Sequence, residues 1–279
     1  MLATETRIGR PNMMENRMPE QYRGQTVVVT GASAGLGVGF ARAFAQRGAD
    51  LVLVARREDR LNELADELRD RAGVEVHTVG LDLARPESGQ EMLSWLHDRS
   101  IEPDVLINNA GFGTHGRMVN ENRERVREQI TLNVLTLTDL TIGVLPQMVE
   151  RGSGTIVNVA STAAFQPVPG LGVYSATKAY VRSFTEALWG ELHGTGVRAF
   201  ALCPGPTETE FFDAAGSPPS GKLVPASRVV NTLMREIDRA KPRPSVIDGR
   251  TNAAVANLSR FIPSRSAIKL AGSIFLDRE

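Results

Sequence analysis

Tyr174 and Lys178 stand four residues apart, and Ser161 lies thirteen residues before the tyrosine. On a helix, positions four apart share a face, one turn apart. A phenol ordinarily ionises at about pH 10, too high for easy proton exchange at neutral pH. An ammonium one turn away favours the phenolate and draws that value down. The pair therefore reads as a proton-transfer device for a carbonyl or an alcohol, with Ser161 adding a hydroxyl to hold the reacting oxygen. A Tyr-x3-Lys pair also occurs on plain solvated helix faces, so its meaning depends on what the fold sets beside it. The chain has only 3 Tyr, and its lysines are confined to Lys178, Lys222, Lys241 and Lys269, which makes a chance pairing uncommon.

Such groups need a scaffold, and the rest of the chain supplies an alternation of strands and helices. Apolar β-rich runs are expected at 26–30, 51–55, 74–79, 105–108, 155–160 and 197–202, with a short seventh at 245–247. Helical spacing fills 36–47, 87–97, 123–150 and 174–192, and a charged amphipathic stretch carries Leu61, Leu64 and Leu68 on one face. Strands buried on both faces read as continuous Val/Ile/Leu runs, as these do. Strand–helix alternation at this spacing predicts an α/β fold, a doubly wound Rossmann-type parallel sheet of about seven strands flanked by helices in a single domain. The stretch 204–225 breaks the rhythm with Gly216, Pro218, Pro219 and Gly221, and reads as a binding loop or lid with a short helix around Phe211.

The first strand runs directly into Thr30-Gly31-Ala32-Ser33-Ala34-Gly35-Leu36-Gly37. Gly31 permits a tight turn, Gly35 lets the backbone approach a pyrophosphate, and Gly37 lets the helix pack closely on the sheet. The helix N-terminus then offers free N–H groups to phosphates. The second strand ends at Ala55-Arg56-Arg57, with no carboxylate for the adenosine ribose. Arg56, helped by Ser33, favours a 2′-phosphate, so NADP(H) is the preferred cofactor and NAD(H) is left open.

Composition narrows the classes further. Lys plus Arg equals Asp plus Glu, 32 each, which gives no sign of a nucleic-acid surface. Cys203 is the single cysteine, so no intrachain disulfide forms and a reducing, cytoplasmic location is expected. His77, His97, His115 and His193 are scattered without metal-ligand spacing, so no metal is expected. No apolar run approaches the length of a membrane span. Residues 1–23 are polar and Arg-bearing, without the apolar stretch of a secretory signal, and read as a flexible arm.

Taken together, the residues resemble the short-chain dehydrogenase/reductase family. The resemblance covers roughly 25–248. It rests on TGASAGLG at 30–37, LDL at 81–83, NNAG at 108–111, Ser161 with Tyr174 and Lys178, and PGPTET at 204–209. It implies that Gly31, Ser33, Gly35, Leu36, Gly37 and Arg56 hold the cofactor's phosphates and ribose. Asp82 and Leu83 would meet the adenine edge, and Asn109, Ala110 and Gly111 would line the cofactor's floor. Pro204, Gly205, Thr207 and Thr209 would frame the nicotinamide; Thr207 stands where the family usually has Val or Ile. Ser161 would orient the substrate oxygen, Tyr174 would be the acid in reduction and the base in oxidation, and Lys178 would lower the Tyr174 pKa and hold the nicotinamide ribose. Asn133 matches the family's catalytic asparagine and would hold a water that links Lys178 to solvent.

The implied reaction is reversible hydride transfer between nicotinamide and a carbonyl carbon of a small molecule. Two other readings stand beside it: a non-catalytic nucleotide-binding sensor or scaffold, and an epimerase or dehydratase using the same Tyr and Lys. The expected pocket wall is mostly apolar, with Phe165, Pro167, Val168, Leu171, Phe211 and Phe212, which points to a hydrophobic substrate. The core domain is expected over 24–250. Residues 251–279 form a helical extension that covers the core or seals a subunit contact, with membrane-surface contact a weaker option. The family is usually dimeric or tetrameric through the long helix and the Tyr-bearing helix, so a homodimer or homotetramer is expected.

Overall fold

The computed structural model describes residues 21–216, 223–258 and 261–276, without the side chains at 213, 214, 274 and 275. Strands β1 (Thr26–Thr30), β2 (Asp50–Ala55), β3 (Val76–Gly80), β4 (Val105–Asn108), β5 (Gly154–Val159), β6 (Val197–Cys203) and β7 (Ser245–Ile247) pair in the order β3-β2-β1-β4-β5-β6-β7. Every neighbouring pair is parallel. Each crossover carries a helix or helices: α1 (Gly35–Ala45), α2 (Glu58–Ala72), α3 (Ser88–Asp98), α4 (Arg123–Ile130), α5 (Leu137–Glu150), α6 (Gly172–Glu191), α7 (Phe211–Ala215) and α8 (Ala226–Ile237), with α9 (Arg250–Leu258) and α10 (Ser264–Phe275) after β7.

Side chains alternate across a strand, so an all-apolar run supplies both faces of the sheet. Val27 and Val29 of β1 enter one core with Leu51, Leu53 and Ile107, closed by Phe40 and Phe44 of α1 and Leu61 of α2. Val28 enters the other with Val52, Leu106 and Ile156, closed by Met92 of α3 and by Leu140, Val144 and Met148 of α5. Full burial of one such side chain stabilises the fold by about 1.5–3 kcal/mol. The two cores clamp the sheet and fix the C-terminal ends of its strands.

Two expectations need adjustment. The predicted arm does not extend through Tyr22, which is 5% exposed: its ring meets Phe44 edge-on at 5.1 Å, and its N–H donates to Arg47 O. Residues 1–20, the lid segment 217–222 and the side chains of Ile274 and Phe275 lie outside the described residues. The predicted helix over 123–150 is continuous but not uniformly α. A wide π turn, Thr131–Thr136, joins α4 to α5. By length and composition this run could also cross a membrane. Here its apolar residues Leu137, Leu140, Val144 and Met148 are buried against the sheet, as in a core helix.

Candidate active site

The sheet reverses direction of winding between β1 and β4, which opens a crevice at the C-terminal ends of the strands. Thr30 ties the two strand ends together. Its hydroxyl accepts from the N–H groups of Asn109 and Ala110, both at 3.0 Å, and donates to Ile107 O. The Asn109 amide donates back to Thr30 O at 2.8 Å. Gly31 then turns with φ 67°, and a Cβ there would stand 2.9 Å from Ala110 Cα, so both conformation and space require glycine. A Cβ on Gly37 would overlap Gly31 O, which is how closely α1 sits on the turn. Ala34, extended and without a side-chain cap, leaves the first N–H groups of α1 open at the cleft.

At the far end of the crevice, Arg57 donates to Ser33 Oγ at 3.2 Å. Arg57 and Arg60 also share the Glu210 carboxylate, at 2.8 and 2.7 Å. Arg56 lines the same end, so Arg57 joins the residue singled out from the sequence. Asp82 caps the backbone of Ala84 at 3.1 Å, and Leu83 O accepts from Thr136 Oγ1 at 2.9 Å.

The reactive groups gather where β5 ends. Ser161 is extended, and its Oγ accepts from Ala163 N, starting a short 3-10 turn, Thr162–Phe165. Helix α6 puts Tyr174 and Lys178 on one buried face, 9% and 4% exposed. Lys178 Nζ donates to Val159 O at 2.8 Å and lies 5.9 Å from the centre of the Tyr174 ring. Burial pushes the Tyr174 phenol up to about 12, with the Ser161 hydroxyl acting the other way. Burial draws Lys178 down to about 8, opposed by Cys203. The sequence predicted a lowered tyrosine pKa; desolvation dominates, and the group that opposes it is the Ser161 hydroxyl rather than the Lys178 ammonium, whose hydrogen bond goes to Val159 O.

Asn133 sits on the π turn and is fully buried. Its amide donates to Phe112 O (2.9 Å) and Thr177 Oγ1 (3.1 Å), and its Oδ1 accepts from Phe112 N (3.2 Å). Thr177 in turn donates to Tyr174 O. A Cβ on Gly111 would lie 3.0 Å from Asn133 Oδ1 and 3.3 Å from Lys178 Nζ, so the bare glycine lets both groups approach one point.

These elements enclose a cleft of about 560 Å³. Every residue assigned to cofactor or substrate from the sequence lines it except Gly37, which packs beneath the turn, and Pro167 of the expected apolar wall; Asn133 lies behind Phe112 rather than on the surface of the cleft. The Thr207 hydroxyl donates to Gly205 O, so the departure from Val or Ile leaves no unbonded hydroxyl. Phe211 lies 5.4 Å from the Tyr174 ring, and Phe165 stacks under the Arg182 guanidinium at 4.1 Å. Sequence reasoning missed Arg125, which lies over the Phe112 ring at 3.8 Å, and Asn252, Val255 and Ala256 of α9. The last three come from the predicted extension; α9 folds back so closely that a Cβ on Gly205 would overlap the Asn252 amide. No local signal in the sequence announces that approach. The uncapped helix, the arginine-lined far end and the buried lysine suit a dinucleotide with its pyrophosphate at α1 and its nicotinamide beside Tyr174.

A model of the short chain dehydrogenase family matches residues 25–219. A short chain dehydrogenase of Pseudocercospora fijiensis is 36% identical over 206 residues, spanning 72% of this chain and 65% of that protein. Sulfoacetaldehyde reductase 2 of Chromohalobacter salexigens is 41% identical over 187 residues, 66% of this chain and 73% of the relative. Among solved structures, a short-chain dehydrogenase from Sphingobium yanoikuyae in complex with NADPH aligns with TM-score 0.76 and 35% identity, covering 86% of this chain and 96% of that one.

Proposed function

The chain belongs to the short chain dehydrogenase family of oxidoreductases, and from that premise we propose that it interconverts a carbonyl and an alcohol on a hydrophobic small molecule with NADP(H). One observation carries the reading: Ser161, Tyr174 and Lys178 converge on one cleft that also holds an uncapped helix N-terminus and an arginine-lined end. The similarity to an NADPH complex supports the cofactor, as do Arg56 and Arg57 where a ribose-binding carboxylate would stand.

A nicotinamide held beside Tyr174 supplies the hydride. Gly31, Gly35 and Leu36 would receive the pyrophosphate, Ser33, Arg56 and Arg57 the 2′-phosphate, Asp82 and Leu83 the adenine, and Asn109, Ala110, Gly111, Pro204, Gly205, Thr207 and Thr209 the nicotinamide end. In reduction Tyr174 donates its proton to the carbonyl oxygen, and the Ser161 hydroxyl holds that oxygen and meets the developing negative charge. The high Tyr174 pKa keeps the acid protonated for this role. Lys178 holds the ribose and stabilises the phenolate left behind. Phe165, Val168, Leu171, Phe211 and Val255 give the substrate end an apolar wall. In this reading the enzyme works in the cytoplasm as a homo-oligomer. Ile142 and Val149 of α5 and Tyr180 and Trp189 of α6, 57%, 40%, 40% and 41% exposed, offer an apolar face for the subunit contact.

The test is a screen of apolar ketones, aldehydes and alcohols against NADPH, NADH and their oxidised forms, with Tyr174→Phe alongside. Turnover is expected to fall by about 10²–10⁴ in the variant while NADPH binding, measured by fluorescence, is retained. Full activity in Tyr174→Phe would overturn the assignment of the acid.

A further inference from the structure

Glu210 is the last residue before α7, and its carboxylate is divided between Arg57 and Arg60 at 2.8 and 2.7 Å. Arg57 also binds the Ser33 hydroxyl. An anion of the chain itself thus occupies the arginine cluster at the end of the cleft that the proposed function assigns to the cofactor's 2′-phosphate. The three side chains are 41%, 43% and 51% exposed, so the ion pairs are solvated and displaceable. The next residue, Phe211, lies against the Tyr174 ring, and its N–H donates to Thr209 Oγ1. One short segment therefore links the arginine cluster to the cover of the reactive tyrosine.

We propose that Glu210, bound to Arg57 and to the neighbouring Arg60, is a built-in competitor for the 2′-phosphate subsite of Ser33, Arg56 and Arg57, so that a 2′-phosphorylated adenosine displaces it and unlatches α7 from above Tyr174. The inference rests on the NADP(H) reading and goes beyond it by tying the cofactor's phosphate to the substrate cover. A phosphate monoester carries more charge than a carboxylate and offers three acceptor oxygens, and a guanidinium can take two of them at once. A dinucleotide without that phosphate has nothing to exchange for Glu210 and leaves the latch closed. By reciprocity, whatever loosens the latch tightens binding of the phosphorylated cofactor.

The experiment titrates the full chain and its Glu210→Gln and Arg57→Ala variants with adenosine 2′-monophosphate, adenosine 5′-monophosphate, NADPH and NADH by calorimetry. Amide hydrogen exchange is followed at 211–215 in the wild type. Removing two solvated ion pairs should tighten the 2′-phosphate ligands by roughly three- to tenfold in Glu210→Gln and leave the other two within about twofold. Exchange at 211–215 should rise with adenosine 2′-monophosphate and stay unchanged with the 5′-isomer. If the wild type binds the 2′-isomer no better than the 5′-isomer, and Arg57→Ala changes neither, the NADP(H) reading falls and the latch with it. If the wild type prefers the 2′-isomer but Glu210→Gln binds it equally or more weakly, or α7 shows no exchange response, the latch alone is refuted.

Discussion

Replacing Asn133 by Ala separates the structural from the chemical work of that residue. The change removes three hydrogen bonds, to Phe112 O, Phe112 N and Thr177 Oγ1. Thr177 keeps its bond to Tyr174 O, so the groups stranded are the N–H and C=O of Phe112, a residue 7% exposed. A buried backbone group without a partner costs about 1–3 kcal/mol. Phe112 borders the cleft, and water from there can recover part of that loss. The expected destabilisation is therefore about 2–4 kcal/mol, read as a lower urea midpoint with an unchanged slope. A domain with a typical stability of about 5–15 kcal/mol remains folded, and its kinetics can be measured on native protein. Turnover should fall as well, because the segment 111–112 that Asn133 holds lies beside Lys178 Nζ. A loss under about 1 kcal/mol would show that the three bonds are not what anchors this segment, and would refute the reasoning.

Lys178→Met should lose turnover and gain stability. The ammonium is held at about 8 against an ordinary 10.5, and a tenfold displacement is worth about 1.4 kcal/mol, so the lysine costs the fold up to about 3 kcal/mol at pH 7. The sign follows from proton counts: between about pH 8 and 10.5 the unfolded chain binds more protons than the folded one, so wild-type stability rises with pH there and the variant's advantage shrinks. Urea titrations at pH 7 and pH 10 check both; a variant that is less stable at pH 7 contradicts the argument. Glu236 is 1% exposed and receives the Arg243 N–H at 2.8 Å and its guanidinium at 2.7 Å. Burial alone would raise its pKa, but Arg243 and Arg239 outweigh burial and the carboxyl is lowered. Its contribution is therefore complete above the ordinary glutamate range and is lost as pH falls through the lowered value. Glu236→Gln should cost about 1–2 kcal/mol at pH 7, discounted for the half-exposed Arg243, and flatten the loss of stability as pH falls through and below the ordinary glutamate range.

Much of this arrangement was legible in the sequence because it is local. The valine runs dictate two-faced strands, and Gly31, Gly35 and Gly37 follow directly on the first of them. Tyr174 and Lys178 share a helix face by spacing alone. The parts that were not legible depend on distance in the chain. Asn252 meets Gly205 only because α9 folds back over the sheet. Glu210 reaches Arg57 across 153 positions. The direction of the Tyr174 shift depends on how much water the finished fold excludes, which no spacing rule encodes. Tyr22 looked like part of a polar arm because its partner, Phe44, lies one helix away.

The wide turn at Thr131–Thr136 has a consequence for how this helix can change. It acts as a coupling between two shafts that are indexed separately. α5 is set by the sheet through Leu140, Val144 and Met148, whereas the turn holding Asn133 is set by the loop at Phe112. Each residue of the wide turn advances the chain by less than the roughly 100° of an α-helical residue, so across Thr131–Thr136 the turn takes up about one extra residue while both halves keep their faces. Removing one residue there would close it to a regular α-helix with the apolar stripe of α5 still on the core, at the expense of the local geometry that brings Asn133 to Phe112. A deletion within α4 or α5 has no such slack and would rotate one half by about 100° relative to the other.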